Sequence, residues 1–165
     1  MSTMSKQPAS DNDAMRARAA SRLAAVQALF QMEASGAGVE SVILEFSTHR
    51  IGNDIDGAQL SEVDIDFFSD VVRGTVEAQE KIDLYIEKNL SKNWKLSRLD
   101  ATARAILRAA IYELTKRPDI PARVAIDEYL DIANAFFDGD ERGFINGLLD
   151  VAAREARPDE FSKAG

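Results

Sequence analysis

Apolar positions recur along this chain with a helical period, most regularly between Trp94 and Leu114, WKLSRLDATARAILRAAIYEL. At 100° per residue, Leu99, Ala103, Ile106, Leu107, Ala110, Ile111 and Leu114 fall in one arc, the core stripe of an amphipathic helix. Ala101, Ala105, Ala109 and Tyr112 line a second face of mostly small residues, where a neighbouring helix can come close. Two occupied faces make this the central helix. Ser97 and Asp100 form an S-x-x-D capping pattern, which predicts a start near Arg98. Lys116 and Arg117 offset the negative end of the helix dipole before Pro118 stops it. Arg104 and Arg108 lie one turn apart on the edge between the two faces.

The same periodicity predicts six further helices. The first runs from Ala14 to Glu33, with Leu23, Val26, Leu29 and Phe30 on one arc. Val39, Val42, Ile43 and Phe46 carry a short second helix. A third, from about Glu62 to Arg73, uses Val63, Phe67 and Val71; Gly74 then marks a bend or boundary. A fourth runs from about Thr75 to Leu90 with Ile82, Ile86 and Leu90 inward. After the central helix, Asp119-Ile120-Pro121 is a start signal for a sixth, faced by Ala125, Ile126, Tyr129, Leu130, Ala133 and Phe136. Beyond the loop Asp138 to Gly143, a seventh is faced by Phe144, Ile145, Leu148, Leu149 and Ala152. No stretch of more than a few residues alternates with period two, so the expected fold is all-α with seven helices. Residues 1–13 read as a disordered leader, His49 to Ser61 as an acidic linker and 158–165 as a disordered polar tail. The helical domain is expected over 14–157, with subdomains about 14–74 and 75–157.

Composition narrows the chemistry. The 165 residues are 45% hydrophobic, enough for a substantial core, and contain no cysteine and one histidine, His49. Disulfides, thiolate metal sites, and Cys-His or Ser-His-Asp nucleophiles are therefore excluded within one chain. No phosphate-binding glycine loop and no apolar run of membrane-spanning length occurs, so a cytoplasmic protein is expected, with no membrane partner. The acidic loops fail as EF-hands: placing Gly57 at the sixth position puts Gly52 and Val63 at the end ligands, and Gly143 puts Leu149 at the last. No metal, cofactor or catalytic residue is expected. The formal charge of −8 opposes indiscriminate binding of polyanions, yet the cations are grouped. Arg16, Arg18 and Arg22 occur without an acid between Ala14 and Ala24, and seven cations face three acids from Lys95 to Arg123. The three arginines, read as lying along roughly one arc at a helix start, suit either an external anion or a solubilising, frayed first turn. The grouping itself fits local nucleic-acid contact or helix-dipole pairing.

RLAAVQALFQ (Arg22 to Gln31), the Trp94–Leu114 block, DIPARVAIDEYLDIANAF (Asp119 to Phe136) and FINGLLD (Phe144 to Asp150) resemble, in order and spacing, the NusB transcription antitermination family. The resemblance covers roughly Ala14 to Arg157. It implies seven helices in two small packed bundles, and a protein that binds the single-stranded boxA element of nascent ribosomal RNA leaders. It implies as partners NusE, the small-subunit ribosomal protein, and the antitermination complex on RNA polymerase. By resemblance, the arginine-rich start of the first helix contacts RNA, here through Arg16, Arg18 and Arg22. Ala19 and Ala20 stand where a denser arginine run is common. Gln27 and Phe30 fall near RNA or partner, although Phe30 also belongs to the predicted core arc and is assigned there. Thr102-Ala103-Arg104 replaces a common V-D-R, which leaves Arg104 near RNA or partner without the acid. Asp140 corresponds to a position near the RNA surface, and Phe144 offers a base-stacking face or packs at a helix start. Asn146 is expected to bond nearby backbone.

Two rivals remain from the residues. One is a helical interaction scaffold, self-associating as a homodimer over its arginine edge. The other is the helical front of a ribosomal RNA cytosine methyltransferase, which requires an α/β domain that these 165 residues do not hold.

Overall fold

A computed structural model describes residues 11–50, 63–91 and 94–162, and shows no strand among them. Eight α-helices occur among the described residues: α1 (Asp11–Ser35), α2 (Val39–Glu45), α3 (Ile65–Glu77), α4 (Gln79–Asn89), α5 (Ala101–Lys116), α6 (Ala122–Phe136), α7 (Gly139–Ala156) and α8 (Pro158–Phe161). A π-helical turn at Phe46–Arg50 and a 3-10 turn at Leu96–Arg98 complete them. The all-α expectation holds, with one helix more than the seven counted from periodicity. The extra one, α8, lies where the sequence reads as a polar tail; its Phe161 packs on the core edge and Glu160 accepts a 2.8 Å bond from the Ala122 N–H. Most of the expected leader, the linker from Ile51 to Ser61 and the Gly57 alignment lie outside the described residues.

The axis is α5, which packs against α1, α3, α4, α6 and α7. Both predicted faces are occupied: Ala103, Ile106, Leu107, Ala110, Ile111 and Leu114 are buried on one, Ala105, Ala109 and Tyr112 on the other. The helix starts at Ala101 rather than near Arg98. Asp100 is the cap, accepting from the N–H groups of Thr102 at 2.8 Å and Ala103 at 3.4 Å. Ser97 is spent in the preceding 3-10 turn. At the other end the Arg157 guanidinium donates to the carbonyls of Leu114, Ile120, Glu113 and Arg117, 2.6 to 3.3 Å away. The Glu113 and Arg117 carbonyls also accept backbone N–H bonds from Arg117 and Ile120, so the cation delivered from the end of α7 supplements the backbone there and complements the negative end of α5.

The third and fourth helices divide at Ala78, four residues later than Gly74, which sits inside α3. Glycine is there for proximity. A Cβ at Gly74 would lie 2.1 Å from Cε1 of the buried Tyr112, whose hydroxyl is tied to Asp70 at 3.0 Å. Burial, then the bond and charge of Asp70, push that phenol up to about 12. In an open helix Gly→Ala would gain about 1 kcal/mol of propensity, but a clash of this depth is expected to cost about 1–3 kcal/mol. Gly74→Ala is therefore expected to lower stability in urea denaturation, and the cost of the same change is expected to shrink in a Tyr112→Leu background, which removes the ring carbons it meets.

Candidate nucleic-acid interface

The first helix begins a turn earlier than its apolar pattern suggests, with Asp11 and Asp13 in the first turn complementing the dipole. Arg16 and Arg18 consequently sit beyond the first turn, where free backbone N–H groups no longer point outward. The three arginines also do not share one arc. Arg16 is exposed and bonded only to Asp13, 3.1 Å away, a surface pair of small worth.

Arg22 points into the core. It is 2% exposed, and its Nε and Nη2 donate to the fully buried Glu113 carboxylate at 3.0 to 3.1 Å. The buried Tyr129 hydroxyl donates to the same carboxylate. Burial pulls the Arg22 guanidinium down, but the bond and charge of Glu113 outweigh it and hold the group above the ordinary arginine range. Burial and the Glu113 charge push the Tyr129 phenol well up. This guanidinium has no surface for phosphate, so the expected RNA contact at Arg22 is corrected to a structural ion pair between α1 and α5.

Around the buried Phe67 ring gather three guanidiniums: Arg18 at 4.9 Å, Arg22 at 5.0 Å and Arg117 at 5.2 Å from its centroid. Arg22 is neutralised by Glu113, and Arg117 by Asp70 and Asp119 at 2.9 Å each. Hydrogen bonding from Arg117 holds the Asp119 carboxyl down at about 2. Arg18 alone of the three makes no direct ion pair among the described residues, although its charge helps to hold the Asp119 carboxyl down. Arg18 lies over the Phe67 ring and is half-buried, with N–H donors not engaged by a carboxylate bond.

The other predicted residues lie toward the opposite end of α1, which runs antiparallel to α5. Arg22 meets Glu113 late in α5, whereas Glu33 binds Arg104 and Arg108 early in it. The stretch from Arg18 to Glu33 spans roughly 22 Å at ~1.5 Å per residue. Arg104 also donates to the carbonyls of Leu96, Ser97 and Leu99, and Arg108 binds Asp83 at 2.8 Å. Both cations are thus engaged as staples joining α1, α4 and the turn before α5. Hydrogen bonding from Arg104, opposed by burial, holds the Glu33 carboxyl below its usual range.

Close to these staples the Phe144 ring at the start of α7 stacks on Trp94, centroids 5.6 Å apart and planes 14° from parallel. Phe144 is half-buried against the core, while Trp94 is 49% exposed. Asp140 is exposed in the first turn of α7. Asn146 is exposed and makes no side-chain hydrogen bond among the described residues, against the expected backbone contact. Gln27 is half-buried. Phe30, assigned to the core, is 42% exposed: α1 packs through Ser21, Arg22, Ala24, Ala25, Val26, Ala28 and Leu29, and at 100° per residue Phe30 points away from the centre of that buried face. The structure therefore separates the site residues into an arginine end, with Arg16 and Arg18, and an aromatic end, with Phe144, Asp140 and the ion-paired Arg104.

The profile of the NusB family matches residues 19–154 of this chain. The chain belongs to the NusB family. A transcription antitermination protein NusB of Caulobacter vibrioides is 58% identical over 140 residues, 85% of this chain and 94% of its own length. Its counterpart in Maricaulis maris is 52% identical over 161 residues, 98% of this chain and all of that one. The solved structure of T. maritima NusB superposes with a TM-score of 0.72 at 33% identity, covering 88% of this chain and 96% of that one. Within this NusB-family chain, among the described residues, no helix is long and apolar enough to cross a membrane and no three His, Cys, Asp or Glu gather to hold a metal. Glu113 and Trp94 escaped the sequence reading. A glutamate in an otherwise apolar helix segment, opposite a lone arginine in another, was the available signal for the first.

Two outcomes follow from the ion pairs. Glu113→Ala leaves Arg22 buried without its partner and is expected to lose about 3–5 kcal/mol in urea denaturation. Glu33 has a folded pKa below its unfolded one, so its contribution is present above the ordinary value of 4.5 and is lost as pH falls through the lowered one. In thermal melts as the pH falls from about 5 to about 3, Glu33→Gln is expected to lose less stability than wild type.

Proposed function

We propose that this chain is a transcription antitermination factor that binds the boxA element of nascent ribosomal RNA leaders together with NusE, keeping RNA polymerase elongating through those operons. It acts by binding, without catalysis. The observation that carries the reading is Arg18, which lies over the Phe67 ring without a direct ion pair among the described residues, beside two arginines that are both paired. An arginine so placed loses little freedom when its edge meets a phosphate. Arg16 adds a second cation whose surface pair with Asp13 yields readily to a stronger anion.

Family membership supports the antitermination role, and the two-ended geometry supports an extended single strand rather than a compact anion. RNA lying along α1 reaches from Arg16 and Arg18 toward Phe144, with its phosphates on the arginines and unstacked bases at the aromatic end. Asp140 at that end repels phosphate and moderates affinity. Phe30, exposed on α1, is assigned to the NusE contact, and the acidic body with its −8 charge suits a basic ribosomal protein. One exposed and one half-buried cation form a small patch, so RNA affinity is expected to be weak alone and tighter once NusE adds cationic surface.

The test is affinity for a boxA leader RNA and a scrambled control, with and without NusE, at several salt concentrations. NusE is expected to tighten boxA binding selectively. Arg18→Ala is expected to weaken it about tenfold and reduce the salt slope by roughly 0.7, the increment for one single-strand phosphate contact. Indifference to both NusE and RNA sequence would return the chain to the self-associating scaffold reading.

A further inference from the structure

Trp94 has no assigned task, yet its setting is unusual for a surface tryptophan. It lies in the segment before α5, with one ring face covered by Phe144, and 49% of the residue is open to solvent. Phe144 is itself fixed against the core, so the indole is held in place before any ligand arrives. Trp94 also lines an open cleft of about 550 Å³ that it shares with Lys95, Arg104, Arg108, Glu33 and Glu87. Arg104 and Arg108 are committed to Glu33 and Asp83. Lys95 and Arg98, in contrast, are exposed and make no ion pair among the described residues. A rigid, half-open aromatic with two unpaired cations one and four residues later combines the two elements of single-strand recognition, a stacking surface and phosphate ligands. A protein docking on the same indole would have to bring a carboxylate to each cation, whereas a nucleic-acid strand carries a phosphate beside every base.

We propose that Trp94 is a base-stacking residue of the RNA site, with an unpaired base of the bound strand lying on the indole and the adjoining phosphates on Lys95 and Arg98. This rests on the RNA-binding reading above. In that arrangement Phe144 acts chiefly by positioning Trp94, whose larger surface meets the RNA.

Trp94 is the chain's one tryptophan, so its emission reports on the site directly. The full chain is saturated with NusE, then titrated with boxA leader RNA, using the Trp94→Phe protein in the same complex as the blank. Wild-type emission above the blank is expected to be quenched, saturating at the RNA concentration at which labelled RNA is bound. Trp94→Ala is expected to weaken binding roughly 5- to 150-fold, the range for loss of one stacked base, and Trp94→Phe to keep affinity within about threefold. If Trp94→Ala fails to fold, the wild-type quenching decides. RNA binding that depends on Arg18 but leaves the Trp94 emission unchanged would overturn the inference while sparing the function. Absence of any boxA binding by the wild-type complex would overturn both.

Discussion

The buried pair between Arg22 and Glu113 constrains everything around it. An arginine and a glutamate taken out of water are tolerable only if each finds its partner with good geometry, and here Tyr129 fills another acceptor site on the carboxylate. The requirement fixes the register of α1 against α5 and draws α6 to the same point. With that register set, Arg18 comes to rest over Phe67, Glu33 meets Arg104 and Arg108, and the open edge of α1 acquires its direction. Replacing the pair by apolar side chains could match it in stability, since buried ion pairs seldom exceed a well-packed hydrophobic contact. What apolar residues would not supply is a single register.

A second constraint is proximity. Alanines at positions 24, 25, 28, 105, 109 and 110 are all but inaccessible, and Gly74 leaves space for the Tyr112 ring. Helices packed this closely bury backbone as well as side chains, so larger residues near the contact are pushed to the rim. Charges at the two ends of α5 are likewise answered locally, by Asp100 at the start and Arg157 at the finish.

Periodicity made the fold legible because nearly every helix buries one regular stripe, as the Leu99–Leu114 stripe of α5 illustrates. Boundaries were less so. Gly74 and Ser97 carry the usual local signals for a break and a cap, but Tyr112 and the 3-10 turn at Leu96–Arg98 decide their use from outside the local sequence. Among site residues, exposure of Arg16 and partial exposure of Arg18 followed from their place before the apolar stripe, whereas the fate of Arg22 depended on Glu113, ninety-one positions away. Long-range pairing of charge leaves no periodic trace. The Trp94–Phe144 stack has the same character: neither residue marks the other in sequence.

The proposed picture that joins these parts is one strand of RNA laid along the bundle, touching an arginine end near Arg18 and an aromatic end beside the Glu33 ion pairs, two points of α1 roughly 22 Å apart. Photo-crosslinking of boxA RNA in the complex with NusE, with the attached peptides mapped, tests that picture most directly. The account predicts crosslinks in two separate places, at residues 15–19 and at residues 94–98 or 140–144, from different nucleotides of the same strand. Crosslinks confined to one end, or located on the α3–α4 side of the molecule, would contradict it.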